Sequence, residues 1–301
     1  MNAPVRYEIE HVSRYKYERP VRNCVMAVCL RPQDDERQHL MRFDLSTDPP
    51  APHNAEQDGF GNTRHVLNIH REHNSLAIMA HSIVVMLPTE TAPSPTATTE
   101  SVGGGGWDAL RAEADAFADW DFVNPTALTE PTAALAEFVR GKGLDALDGD
   151  PLSVVQALMG AVHDSFRYVP GSTSVGSPID HVLETGEGVC QDFAHVMLAV
   201  ARSWGVPSRY VSGYVEVSDV ADNGGGADGE ARTGASHAWV ECRLPGLGWV
   251  GFDPTNRCLA DHRHIRIATG RDYQDVAPTR GVLQGGGSME LDVEVRVRVL
   301  P

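Results

Sequence analysis

The stretch from Pro88 to Gly106, PTETAPSPTATTESVGGGG, splits the chain into two parts whose hydrophobic periods differ. It is poor in apolar groups and loaded with Pro, Thr and Gly, so it reads as a linker or a long surface connection. Before it, alternation rules. VRYEIEHVSRYKY from Val5, VMAVCL around Cys29, TRHVLNIH from Thr63 and SIVVML from Ser82 are short runs rich in β-branched and aromatic residues. Arg31-Pro32, Pro49-Pro50 and the Asp58-Gly59-Phe60-Gly61-Asn62 stretch interrupt them as turns. An all-β N-terminal domain over residues 1–100 follows.

After the linker the period changes to that of helices. WDALRAEADAFADW reads as one helix, and PTAALAEFVRGKG as another, with Pro131 near its start and Gly141 near its end. A third, PLSVVQALMGAVHDSFRY, opens on Pro151 after Asp150. Strands are expected later, at Arg209–Val217, His237–Arg243 and Trp249–Phe252, so the second domain, residues 101–288, is α+β. The final MELDVEVRVRVL alternates from Met289 to Val299, apolar side chains one way and charged ones the other. Its style matches the first domain, to which the strand 289–300 is expected to return.

At 301 residues the chain is long enough for two domains, each with its own core. A charged fraction of 22% and an apolar fraction of 42% are those of a globular protein. The net charge of −16, without a cluster of Lys and Arg, argues against nucleic acid and acidic membranes as partners. The start MNAPVRYEIEHVSRYKYERP lacks the apolar centre of a secretory signal, and no run approaches a membrane span. Five cysteines, an odd and sparse set, fit a reducing compartment, and a cytoplasmic location is the expectation.

One of those cysteines opens a helix. In CQDFAHVMLAVARSWG, Phe193, Met197, Val200 and Trp204 recur at helical spacing beside Ala194, Leu198 and Ala201, giving one broad buried face that ends at Gly205 and Pro207. Gly186 and Gly188 precede Cys190 and leave it unshielded. First-turn N–H groups and the helix dipole favour a thiolate at such a position and offer donors to an oxyanion. The alternative is a small buried residue under a loop, and only a base can decide between them.

SHAWVECRLPGLGWVGFDPTN supplies one. His237 begins a strand, Asp253 ends the next, and RLPGLG joins them as a hairpin. A loop centred on Pro245 sets His237 directly across from Asp253, where paired Cβ atoms lie about 4.5–5.5 Å apart. A two-residue turn would put the side chains on opposite faces, but Pro-Gly suits such turns poorly, so a longer odd-numbered loop is expected.

GVCQDFAH, RYVSGYV, SHAWVE and GWVGFDPTN together resemble the catalytic blocks of the transglutaminase-like superfamily, in the order Cys, His, Asp. The N-terminal strands with DGFGN, and GRDYQDVAPTRG near Arg271, resemble the bacterial group in which a β domain precedes this core. The resemblance implies an α+β protein with a papain-like core, helices packed on an antiparallel sheet, behind an all-β domain. It implies Cys190 as nucleophile, His237 as general base and later acid, and Asp253 as the residue that orients the imidazole. The insertion SDVADNGGGADGEARTGA before His237 departs from the pattern and leaves substrate preference open.

The implied reaction is acyl transfer at an amide through a thioester, by a cysteine peptidase or amidase if water resolves it and a transamidase if an amine does. A third reading is a binding or scaffold protein that keeps the fold without chemistry. The expected partner is a peptide or amide substrate; no cofactor and no metal are expected, and oligomeric state is left open. His70 with His73, and His262 with His264, lack the further ligands zinc needs and are read as solvated or satisfied. His195, one turn beyond Cys190, is turned well round from it by five helical residues and is read as core or as a residue behind the site. Asp219, Asp222 and Asp228 do not match a calcium loop.

Overall fold

The computed structural model describes residues 3–88, 105–114, 117–147, 149–216, 233–234 and 236–301. The first part is all strand: β1 (Val5–Val28), β2 (Gln38–Asp48), β3 (His53–Gln57), β4 (Thr63–Ile69) and β5 (His73–Met86). Four helices follow, α1 (Trp107–Glu113), α2 (Trp120–Val123), α3 (Ala133–Gly141) and α4 (Pro151–Ser165). Next come β6 (Arg167–Tyr168), α5 (Ile179–Thr185), β7 (Glu187–Gly188) and α6 (Cys190–Ser203). A second run of strands comprises β8 (Ser208–Val215), β9 (Thr233–Gly234), β10 (Ser236–Leu244), β11 (Gly248–Asp253), β12 (Cys258–Leu259) and β13 (His264–Gly270). After α7 (Tyr273–Val276) the chain closes with β14 (Thr279–Gly285) and β15 (Met289–Leu300).

The N-terminal strands curl into a half-barrel around β1. VRYEIEHVSRYKY and VMAV, separate runs in the sequence, are one strand here. Its first half pairs with β5 and β15, its second with β4 and β14. Pro20 falls between Lys16 and Val21, where the register to β5 shifts, so its missing N–H interrupts no regular ladder there. The C-terminal strand does return, pairing β1 from Tyr17↔Met289 to Arg6↔Leu300. The return starts earlier than expected: β14, inside the stretch assigned to the second domain, already pairs with β1. The WDALRAEADAFADW helix also differs, because Ala114 is extended and α2 begins only at Trp120. Arg243 holds both sides of the break, donating to the Glu113 carbonyl at 2.6 Å and the Asp119 carboxylate at 2.7 Å.

The second part packs helices on an antiparallel sheet of order β12-β11-β10-β8-β13. Asp150 caps α4 by accepting the Leu152 N–H at 3.2 Å, and Thr132 caps α3 through Leu135. Helix α6 is buried on all sides from Gln191 to Arg202, more than the one broad face its pattern suggested. Tertiary packing accounts for this: α2, α3, α4 and α5 pack against it in addition to β8 and β10 of the sheet. Fully burying each of Phe193, Met197 and Leu198 contributes about 1.5–3 kcal/mol. Tyr7, Ile9, Val84 and Met86 of the half-barrel join the same apolar cluster.

Candidate active site

The site is assembled where α6 begins. Gly186, at φ +70°, ends α5 in the left-handed conformation and turns the chain into β7. Gly188 is needed for space rather than for its φ: a Cβ there would lie 3.0 Å from Asp192 Cβ and 3.1 Å from Val182. The N-cap is Val189, which has no acceptor, so no side chain caps the first turn. Asp192 instead reaches back, accepting the Val189 N–H at 2.8 Å and the Thr173 hydroxyl at 2.6 Å. Cys190 stands half-buried on this turn with backbone donors around it.

The Cys190 thiol lies close enough to His237 of β10 and to Tyr168 of β6 for its charge to act on both. His237 Nε2 lies 2.7 Å from Asp253 Oδ2, which leaves Nδ1 for Cys190. The three residues taken from the sequence are therefore together. Their route differs in register. Leu244 pairs with Gly248 and Val240 with Phe252, so the loop is centred on Gly246, and Asp253 is diagonal to His237, not opposite. The loop is odd-numbered, as expected, and that parity keeps both side chains on one face. Diagonal neighbours lie about 7–8 Å apart, within reach of an imidazole and a carboxylate.

Asp253 is fully buried, and the Asp-Pro-Thr-Asn turn wraps it. Its Oδ1 accepts the N–H groups of Thr255 (2.9 Å) and Asn256 (3.0 Å), while Asn256 Nδ2 donates to Oδ2 at 2.7 Å. Burial opposes its charge, but the hydrogen bonds and charges of His237 and His264 hold its carboxyl well below the usual carboxylate range. Burial likewise opposes protonation of His237, and Asp253 overrides it, raising the imidazole to about 10. A protonated imidazole beside a thiol at a helix N-terminus is the condition for a thiolate nucleophile.

His264, read from the sequence as solvated or satisfied, is buried and meets Asp253 itself, at 3.2 Å from Nε2 to Oδ2. No spacing signal marked it. Asn256 lay in the DPTN block without an assigned role, and Tyr168 ends the third predicted helix segment, which stops at Ser165. Asp253, Cys258 and His264 place donor atoms within 4.8 Å of one another, but Asp253 Oδ2 is already engaged by His237, Asn256 and His264, so the set is taken up by its own hydrogen bonds. His195 is core: it is buried, accepts the Tyr273 N–H at 3.2 Å, and burial pushes it down to about 3. Trp239 is packed between His237 and His264, and Tyr214 is buried against His11. Trp249 lies under the Arg209 guanidinium at 4.3 Å. His70 and His262 are exposed. Asp219, Asp222 and Asp228 lie outside the described residues.

Comparison with known proteins agrees with this layout. Residues 140–254 match the transglutaminase-like superfamily core, and residues 7–85 the bacterial transglutaminase-like N-terminal region. An uncharacterised protein of Mycobacterium tuberculosis strain H37Rv is 32% identical over 98% of this chain and 93% of its own length. A protein-glutamine gamma-glutamyltransferase of Pseudomonas aeruginosa is 33% identical over 108 residues, 35% of this chain and 16% of that protein. The crystal structure of a proposed cysteine protease from Cytophaga hutchinsonii covers 100% of this chain and 92% of its own, with a TM-score of 0.74 at 19% identity.

Proposed function

The chain belongs to the transglutaminase-like superfamily, with the N-terminal region of its bacterial group, and from this premise we propose a cysteine-dependent acyl-transfer enzyme acting on amide bonds. The observation that carries the reading is His237, beside Cys190 on one side and 2.7 Å from Asp253 on the other. The Cys190 thiolate adds to the amide carbonyl, and first-turn N–H groups receive the oxyanion. As the C–N bond breaks, the His237 imidazolium gives its proton to the departing amine, leaving a thioester and a neutral imidazole. His237 then takes a proton from the resolving nucleophile, and the thiolate is regenerated.

Hydrolysis is the preferred outcome, so the enzyme is a peptidase or amidase. Cys190 is only partly buried and the neighbouring Tyr168 is 47% exposed, which supports water as the acceptor. Transamidation is the second reading, favoured by the gamma-glutamyltransferase likeness over the core. All five cysteines are unpaired, which suits a reducing compartment such as the cytoplasm. Among the described residues no helix is long and apolar enough to cross a membrane.

The test compares wild type with Cys190→Ala on a library of peptide amides, following ammonia or amine release and amine incorporation separately. Release that disappears in the variant supports the hydrolase; incorporation would move the assignment to the transamidase. Neither activity in the wild type, together with ordinary alkylation of Cys190, would refute both.

A further inference from the structure

We propose that His264, itself held by Asp261, is a positioning residue that keeps the Asp253 carboxylate aimed at His237. The proposal rests on the catalytic reading of Cys190, His237 and Asp253. His264 is the first residue of β13, and only 2% of its side chain is exposed. Its edge meets the Trp239 ring, with centroids 5.3 Å apart at 78°, so the imidazole cannot swing away without unpacking the core.

The two ring nitrogens face different partners, and those partners determine where the proton resides. Nδ1 lies 3.1 Å from the Asp261 backbone N–H and 3.2 Å from Asp261 Oδ1. In the neutral ring an Nδ1–H tautomer would set the Nε2 lone pair against the Asp253 carboxylate, so the arrangement favours Nδ1 accepting that N–H and the single proton on Nε2. In the charged ring Nδ1–H donates to Oδ1 instead, and Nε2 still carries its proton. Either way Nε2–H donates to Asp253 Oδ2, the oxygen that also accepts from His237. Asp261 is fixed in turn by Arg263, whose Nη2 lies 2.8 Å from Oδ2 and whose backbone N–H is 2.9 Å from Oδ1. The result is a continuous chain of donors and acceptors from Arg263 through Asp261, His264 and Asp253 to His237, which lies beside Cys190.

This arrangement has a functional consequence. Oδ2 is shared by His237 and Asn256 on one side and His264 on the other. Removing the His264 donor frees the carboxylate to tilt, and His237 tilts with it. A hydrogen bond to a buried charge corresponds to roughly 10–100-fold in an equilibrium or rate.

The experiment uses His264→Phe, which keeps a ring against Trp239 without a donor, and His264→Gln, which restores an N–H. Readouts are kcat and KM on an amide substrate, the iodoacetamide alkylation rate of Cys190 at pH 7, and the thermal midpoint. For Phe we expect kcat to fall about 10–100-fold with KM within about twofold, and alkylation to slow about tenfold; Gln should recover both to within about threefold. A Phe variant with wild-type kcat and alkylation overturns the proposal. Equal losses in Phe and Gln that track the thermal midpoint overturn it too, since the role is then structural. Alkylation needs no substrate, so it still reports positioning if the amide reaction itself is absent. If the Phe variant does not fold, histidine 15N spectra of the wild type decide: a proton on Nε2 of His264 supports the proposal, and one on Nδ1 alone refutes it.

Discussion

Asp253 is one buried charge on which five donors converge: two backbone N–H groups, Asn256, His237 and His264. Such a carboxylate stays ionised and fixed, and that state sets how His237 titrates. The folded pKa of His237 is raised to about 10, against about 6.5 unfolded. Its contribution to stability is therefore fully present below about pH 6.5 and is lost as pH rises through the folded value. Asp253 has the opposite sign: its contribution is present above about pH 3.9 and is lost on acidification. The gap in thermal midpoint between wild type and His237→Gln should thus narrow steadily from pH 6.5 to 10; a gap that is constant over this range would contradict the ion pair. Cys190, His237 and Asp253 were legible because each sits at the end of an element with a clear pattern. His264 was not, since its contact runs from β13 to β11, strands that are not neighbours in the sheet, and no sequence spacing encodes it.

At the scale of elements, α6 opens without a capping oxygen at its N-cap, and Asp192 compensates from inside the helix. This leaves the N-cap without a side-chain acceptor while still anchoring the turn through Val189 and Thr173. Asp192→Ala removes that anchor and should cost about 1–2 kcal/mol in urea unfolding, with slower Cys190 alkylation. A loss below about 0.5 kcal/mol would mean that the glycine loop alone sets the helix start. Helix α6 itself was readable from its period, whereas its burial on every side was not, because that depends on α3, α4 and α5 arriving from elsewhere. The β10-β11 hairpin divides in the same way. Parity followed from the unsuitability of Pro-Gly for a tight turn, but register depended on which of the three loop residues is central. Gly246 and Gly248, at φ +66° and +65°, decide that, and both positions favour glycine.

Across the whole molecule, β13 is the edge strand of the core sheet, and the half-barrel covers it with side chains rather than a strand. Gln38 accepts the Arg266 N–H at 2.8 Å and donates to its carbonyl at 2.8 Å; Asn62 treats Thr269 likewise, at 2.8 Å and 2.7 Å. Two amide side chains, with the Gln33 N–H that also donates to the Arg266 carbonyl at 3.1 Å, thus stand in for a neighbouring strand and satisfy an edge that would otherwise be open. The DGFGN stretch, recognised in sequence only as a turn and a family likeness, exists in this fold to present Asn62: Asp58 accepts the N–H groups of Phe60 and Asn62 and the Asn62 amide. Arg266 adds an ionic tie, pairing with Glu241 of β10 at 2.8 Å and with Asp35 of the half-barrel. The strand that carries His264 is therefore held in place by the N-terminal half of the chain. Asn62→Ala leaves a buried N–H and a buried carbonyl of Thr269 without partners and should cost about 2–4 kcal/mol. Because Tyr7, Ile9, Val84 and Met86 share one apolar cluster with α6, that loss should appear in urea as a shift of a single transition. An early, separate transition for the half-barrel would instead show that the two halves fold independently and that the shared cluster does not couple them.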